Sequence, residues 1–271
     1  MVKIGVSIRY EELGKYPNIY VNSAIMPGHI QISGLPAEAA EFKDFLKPVI
    51  KNIRVSNPDI TFSMHAYKFN LAEKAARVHA IWVELAKDTI FAASKLEMSF
   101  VSFHLGYGSG GTRIRHQAYT EALVPVLQEL VNTAASYGLE VHIENLYPRP
   151  IHSEICMLGD RVRDFRLIFD SIKSPFLKLC YDYGHGNIDE HGIDILRAFP
   201  DRLGSVHAHD NDQMADMHGP IADPASGTIN WAEEFYYLNE VNFKGPFILE
   251  SSFNNQIKSL ENMSRGRFLY C

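Results

Sequence analysis

Cysteine is scarce in this chain, and its three copies form no pattern. Cys156, Cys180 and Cys271 lie far apart, which excludes the paired-cysteine spacing of a zinc knuckle. An odd count without a framework points to reduced thiols and a cytoplasmic setting. Long apolar runs are missing too. None approaches the roughly 20 residues of a membrane span, so no membrane partner is expected. Positive charge is in deficit: 26 Lys and Arg against 32 Asp and Glu leave a net charge of −6 over 271 residues. Nucleic-acid binders are more often basic, although bound cations can reverse the field locally. The first residues, Met1-Val-Lys-Ile-Gly-Val6, enter a strand with no secretory pattern. We find no linker, repeat or low-complexity stretch, and expect residues 1–271 to form one domain.

Histidine is what the chain has in excess, with 12 copies. The stretch Glu140-Val-His-Ile-Glu-Asn-Leu146 shows how they are used. It reads as a buried strand that closes on a carboxylate, with Pro148 and Pro150 stopping it. A carboxylate at the tip of an apolar strand is costly unless compensated, and a divalent cation is a natural compensator.

The same pattern recurs along the chain. Lys3–Ile8 and His29–Ser33 read as the first two strands, and Ala37–Ile50 as a helix with Phe42, Phe45, Leu46 and Val49 at helical spacing. Ile60–His65 alternates and ends in His. Asn70–Lys95 reads as one amphipathic helix, with Ala75, Val78, Ile81, Trp82, Leu85 and Ala92 as its stripe and Thr89 interrupting it. Met98–His104 ends in His, and Gly106, Gly108, Gly110 and Gly111 follow as a flexible or close-approach loop. Phe176–Asp182 ends in Asp with His185 just beyond, Leu203–Asp210 carries His207 and His209, and Pro246–Glu250 ends in Glu. Helical stretches are expected at 116–137, 159–172, 194–199, 230–241 and 257–269.

Eight strand-like runs alternating with helices imply parallel strands joined by right-handed crossovers. A (β/α)8 TIM barrel of about 250 residues fits, and its functional groups project from the C-terminal ends of the strands. The tips at residues 65, 104, 144, 182, 207 and 250 would then meet at one mouth. Imidazole and carboxylate together suit zinc, manganese, iron or cobalt.

Several stretches carry a resemblance to a known superfamily. They are Met64-His-Ala-Tyr-Lys-Phe-Asn-Leu-Ala72, Ser102-Phe-His-Leu-Gly106, His142-Ile-Glu-Asn145, Asp182-Tyr-Gly-His185, Val206-His-Ala-His-Asp-Asn-Asp212, Asp216-Met-His218, Gly227-Thr-Ile-Asn-Trp231 and Phe247-Ile-Leu-Glu250. In this order they resemble the xylose-isomerase-like TIM barrels, which include sugar and sugar-phosphate isomerases and epimerases and the endonuclease IV family (AP endonuclease family 2). The isomerase branch implies one divalent ion (zinc, manganese, cobalt or magnesium) held by Glu144, Asp182, His207 and Glu250. His207 is preferred to His209 because an acid, Asp210, follows it by three residues, as in the family. Glu144 and Glu250 would also move a proton next to the substrate carbonyl, through an enediolate, and His185 resembles the substrate-binding histidine. A homo-oligomer is an expectation of the family alone.

The endonuclease branch implies three zinc ions and a DNA partner with abasic sites. His65, His104 and Glu144 would hold one, Glu144, Asp182, His207 and Glu250 a second, and His185, Asp216 and His218 the third. All these positions match in residue type. Two departures favour the sugar enzyme: Lys68 stands where the nucleases have a DNA-entering tyrosine, and the second strand lacks their characteristic run. A non-catalytic barrel would show a degraded ligand set, and this set is intact.

Other residues have plainer readings. His209 is expected to orient a ligand, contact substrate or pack in its strand, and His142 to lie in the core or behind the ligands. Trp231 should pack the start of its helix. Arg113 and Arg115 read as a solvated loop face rather than a phosphate site. His79, His116, His152 and His191 read as surface, and Cys156 and Cys180 as inert.

Overall fold

The computed structural model describes residues 2–109, 116–149, 153–223 and 227–266. Gly110, Gly111, Arg113, Arg115, Pro150, His152 and Cys271 lie outside them. Eight parallel strands close into a barrel: β1 (Lys3–Arg9), β2 (His29–Ser33), β3 (Thr61–His65), β4 (Phe100–His104), β6 (Glu140–Glu144), β8 (Leu177–Asp182), β9 (Leu203–Ala208) and β10 (Pro246–Leu249). β1 pairs with β2 on one side and β10 on the other, so no barrel edge is open. A small antiparallel ribbon, β5 (Tyr107–Ser109) with β7 (Ile155–Met157), sits beside the mouth. The helices are α1 (Tyr16–Tyr20), α2 (Lys43–Ser56), α3 (Ala76–Lys95), α4 (His116–Ser136), α5 (Val162–Ser171), α6 (Tyr183–Asn187), α7 (Ile193–Ala198), α8 (Trp231–Glu240) and α9 (Phe253–Gly266). Among the described residues no helix is long and apolar enough to cross a membrane.

The apolar core lies between the strands and the helical ring. Leu46, Ile50 and Ile53 of α2, Ala86, Ile90 and Ala93 of α3, and Leu123, Leu127 and Leu130 of α4 face outward-pointing Ile30, Ile32, Phe62, Met64 and Phe103. Burying each large side chain contributes roughly 1.5–3 kcal/mol.

The inside of the barrel is polar. Every second residue of a strand points the same way, and the inward phase carries Ser7, Gln31, Ser63, Ser102, His142 and Ser205. Two hydrogen bonds cross the interior and skip a strand. Gln31 Nε2 donates to Ser102 Oγ at 3.2 Å, and His142 Nδ1 lies 2.8 Å from Ser205 Oγ. His29 sits between Thr61 Oγ1 and Ser63 Oγ at 2.8 Å each, and burial lowers its pKa to about 3. The next inward position toward the mouth is the strand tip itself.

Several expectations need correction. The helix expected from Asn70 begins at Ala76, because Asn70 is used otherwise: its Oδ1 accepts from Tyr107 N at 2.9 Å. The buried face of α3 is also rotated from the expected stripe. Val78 and Ile81 are exposed, while Thr89 is fully buried and donates its hydroxyl to Leu85 O at 3.0 Å. That internal bond lets a polar residue sit in the core. Phe45 of α2 is exposed. The glycine loop is partly strand: a Cβ on Gly108 would lie 2.5 Å from the Tyr119 ring and 2.8 Å from Cys156 Sγ, so the close-approach half of that reading holds.

His116 is the clearest miss. It is buried, not on the surface. Its Nε2 lies 3.1 Å from Asp160 Oδ1 and its Nδ1 3.3 Å from Asp164 Oδ1. This triad ties the start of α4 to the start of α5. Burial opposes the charge, but the bonds to Asp160 and Asp164 outweigh it and raise the pKa of His116 to about 9.

Candidate metal centre at the mouth of the barrel

All the expected site residues converge at the C-terminal mouth. Glu144, at the end of β6, is the hub. Its Oε2 lies 3.1 Å from His65 Nε2, 3.4 Å from His104 Nε2 and 3.3 Å from His207 Nδ1, and its Oε1 lies 3.4 Å from His185 Nδ1. His207 Nδ1 in turn lies 2.8 Å from Glu250 Oε2 and 3.9 Å from Asp182 Oδ2. Glu144, Asp182, His207 and Glu250 therefore surround one point. His65 and His104 close it on the β3–β4 side.

A second cluster adjoins the first. His185 Nε2 lies 3.5 Å from Asp216 Oδ2, and His218 Nε2 lies 3.2 Å from Asp216 Oδ1. His209 joins here, although it was expected to orient a ligand, contact substrate or pack in its strand. It is fully buried, with Nε2 3.2 Å from Asp182 Oδ1 and 3.5 Å from Asp216 Oδ1. Asp182 sits between the clusters, its Oδ1 also accepting from His185 N at 2.7 Å.

The backbone sets the rings. His65 Nδ1 bonds to Ala66 O at 2.9 Å, His185 Nδ1 to Asn145 O at 2.9 Å, and His218 Nδ1 to Glu250 O at 2.5 Å. A carbonyl oxygen only accepts, so each Nδ1 is the donor and each Nε2 faces the cluster. This is the outer-shell arrangement that orients metal-binding histidines. Asn145, quoted in the sequence pattern without a role, fixes Asp182: its Oδ1 accepts from Asp182 N at 2.6 Å and its Nδ2 donates to Asp182 O at 3.0 Å. Asp210 stays outside the clusters. Its carboxylate accepts from Trp231 Nε1 at 2.7 Å, Thr228 N at 2.9 Å and Asn211 N at 3.0 Å, which pins the loop after β9. Trp231 packs at the start of α8 as expected.

The electrostatics are those of a cation site. Asp182 Oδ2, Asp216 Oδ1, Glu250 Oε2 and both ring nitrogens of His207 and His209 are buried without a hydrogen-bond partner. Burial pushes the Glu144 carboxyl up, but His104 and His207 pull it well below its usual value. Burial likewise opposes protonation of His185, yet Asp182 and then Asp216 raise its pKa to about 10. His218 is raised to about 9, chiefly by Asp216 against the effect of burial. Protons on these rings neutralise the carboxylates where a metal ion otherwise would, so the donor set fits one. Triads with mutually close ligand atoms include His65–His104–Glu144, His65–His207–Glu250, Asp182–His185–His209 and His209–Asp216–His218. Glu144–Cys180–His207 is another, so the Cys180 thiol, expected to be inert, lies against the cluster.

The remaining expected residues fall elsewhere. His142 lies one layer below, stacked on Phe100 at 3.9 Å and bonded to Glu140 at 3.0 Å, in the core rather than behind a ligand. Lys68, named earlier only as a departure, and Arg9, one residue beyond the expected first strand and not singled out, line the cavity of about 360 Å³ above the clusters. Arg9 was legible in principle, being the inward residue after Gly5 and Ser7.

Comparison with known proteins follows the geometry. An uncharacterised protein of Methanocaldococcus jannaschii is 27% identical over 196 residues, covering 71% of this chain and 64% of that relative; the match thus spans just under two thirds of the relative's length. A D-psicose 3-epimerase of Enterocloster bolteae is 30% identical over 82 residues, covering 30% of this chain and 25% of that enzyme. Among solved structures, a D-tagatose 3-epimerase-like protein superposes with a TM-score of 0.77 at 22% identity, covering 99% of this chain and 97% of the other. The sequence profile described as "Xylose isomerase-like TIM barrel" matches residues 27–265. With its closed parallel barrel and that match over most of its length, the chain belongs to the xylose isomerase-like TIM barrel family.

Proposed function

We propose that this protein is a divalent-metal-dependent isomerase or epimerase of a small sugar or sugar phosphate. The observation that carries the reading is the pair of carboxylates on either side of His207, with Glu250 at 2.8 Å and Glu144 at 3.3 Å from its Nδ1. Glu144, Asp182, His207 and Glu250 would hold the ion. When bound, it supplies polarisation of the sugar's carbonyl and hydroxyl oxygens and stabilisation of the enediolate. Glu144 and Glu250 take the proton from, and return it to, the carbon beside the carbonyl. Their different settings suit different roles: Glu144 is fully buried, whereas the Glu250 side chain keeps about a fifth of its surface exposed. His185, which lines the cavity, contacts the sugar hydroxyls in this reading, whereas the expected substrate contact of His209 is not met, because its ring is fully buried beneath His218. The epimerase names of the psicose and tagatose relatives support the substrate class.

The test is solvent exchange. Protein loaded with manganese, cobalt, magnesium or zinc is incubated in D2O with ketoses, aldoses and their phosphates. Deuterium should enter at the carbon next to the carbonyl. If no sugar in the panel exchanges, the reading is wrong.

A specific observation favours a second reading. Asp216 lies between His185 and His218, which supports the residue types for a three-zinc phosphodiesterase acting at abasic sites in DNA. Cleavage of abasic-site DNA by zinc-loaded protein, without sugar exchange, would replace the first reading with this one.

A further inference from the structure

The mouth of the barrel is divided by charge. The carboxylates Glu144, Asp182 and Glu250 stand at β6, β8 and β10, and Asp216 on the loop after β9. The β1–β3 side of the same cavity carries Arg9 and Lys68 and no acid. Strand order in the barrel places β2 between β1 and β3, so the two cations flank the turn at Ser33–Gly34. That turn is shaped for close approach. Gly34 has φ +70°, and a Cβ there would lie 3.1 Å from Arg9 Cζ. The guanidinium therefore lies against bare backbone at the cavity wall. A second opening of about 630 Å³ shares Arg9, Ser33, His218 and Glu250 with the first, so the cations border one continuous entrance.

Neither cation is committed elsewhere. Among the described residues Arg9 has one ion pair, with Glu11 at 3.2 Å, the side chains being 61% and 45% exposed. An ion pair that open is weak and exchanges readily for another oxyanion. Lys68 is exposed and has no ion pair or hydrogen bond among the described residues. Glu12, the acid beside Arg9 at the second opening, is engaged by Lys15 Nζ at 2.9 Å. A planar guanidinium and a mobile ammonium across one bare turn suit an oxyanion with several acceptor oxygens.

From this we infer that the substrate is an anionic sugar, whose phosphate or carboxylate, at the end away from the reacting carbon, is held by Arg9 and Lys68 over Gly34. This rests on the sugar isomerase or epimerase reading and narrows it. The acceptor end of the molecule meets the β1–β3 wall, and the carbonyl end meets the carboxylate wall. Arg9 and Lys68 set specificity and take no part in the proton transfer.

The experiment compares free ketohexoses, ketohexose 6-phosphates and keto-uronates in the D2O exchange assay, using wild type, Arg9→Gln and Lys68→Gln. Both positions are exposed, so the variants should fold. Wild type should prefer an anionic sugar, and each substitution should cut that preference about 10- to 100-fold, the scale of one charge-assisted bond, with KM rising rather than kcat falling. A preference for the phosphate identifies a phosphoryl group, and one for the uronate a carboxylate; either supports the inference. Equal use of charged and free sugars by wild type, or a preference untouched by both substitutions, overturns it while the exchange itself upholds the sugar reading. If no sugar exchanges, binding of inorganic phosphate followed by calorimetry decides: affinity lost in both variants supports the anion site, and affinity retained overturns it.

Discussion

The rings of His209 and His218 stack face to face, with centroids 4.0 Å apart and planes 14° from parallel. The contact is held despite backbone strain: His218 has φ +50°, a region costly for residues other than glycine. Its Nδ1 bond to Glu250 O and the bond from Asn255 Nδ2 to His218 O at 3.1 Å keep it there. The second cluster is thus built at a cost, and it can be removed separately. In the sugar-enzyme reading His218→Ala should leave the main ion bound, whereas in the nuclease reading it should remove one ion and most activity. Elemental analysis of wild type and variant reads this directly: about one ion per chain in both in the first case, and about three falling to about two in the second.

Glu144→Gln keeps the shape of the hub and removes its charge. Proton exchange should fall by about 10²- to 10⁴-fold, and the far-ultraviolet circular dichroism should be unchanged. Full activity in this variant would remove Glu144 from the mechanism.

Gly184, on α6 between His185 and Asp182, has His209 packed against it. A Cβ there would lie 1.8 Å from His209 Cε1, with no room on the opposite side of a fully buried ring. Gly184→Ala should destabilise the fold by about 1–3 kcal/mol and displace His209. Thermal unfolding and metal content should both show it; a variant as stable as wild type, with the same metal content, would mean that the loop gives way at little cost.

The His116 triad predicts a loss of stability on the alkaline side. The folded pKa of about 9 lies above the ordinary value of 6.5, so the contribution is fully present below pH 6.5 and is lost as pH rises through 9. The groups facing the ring are Asp160 and Asp164, with Arg161 Nε 3.5 Å from Asp160. The contribution is up to about 3 kcal/mol. Melting temperatures of wild type and His116→Asn should converge between pH 7 and pH 10; parallel curves would show that the proton on His116 is not what stabilises the triad.

The strand tips were readable because a polar residue closing an apolar run is a local signal. Residues 65, 104, 182 and 207 end up within 3.9 Å of Glu144 or His207 for that reason, with Glu250 one residue past its strand. His209 was harder. Its strand ends at Ala208, and only the tertiary turn of the loop after β9 points its ring at Asp182 and Asp216. His116 was misread because its partners Asp160 and Asp164 lie more than 40 residues away, and nothing in the local pattern marks a helix start as buried. The error in α3 has a similar source. Val78 and Ile81 have the right spacing for a buried face, but Val83, Ala86, Ile90 and Ala93 form the face that packs inward, which leaves those two to solvent. The endless barrel was legible from alternation, while its polar interior needed the phase of every strand at once.

The polar side chains gathered at the mouth come from six different strands, from His65 on β3 to the residue after β10. No short stretch of the chain contains the pocket, and it does not exist until the last strand has docked beside the first. The full ligand set is therefore assembled only when β10 has docked, although the triad His65–His104–Glu144 comes from the adjacent strands β3, β4 and β6. Once in place an ion would act as a clasp across the mouth, tying His65 on β3 to Glu250 after β10 over the seam that β1 and β2 fill.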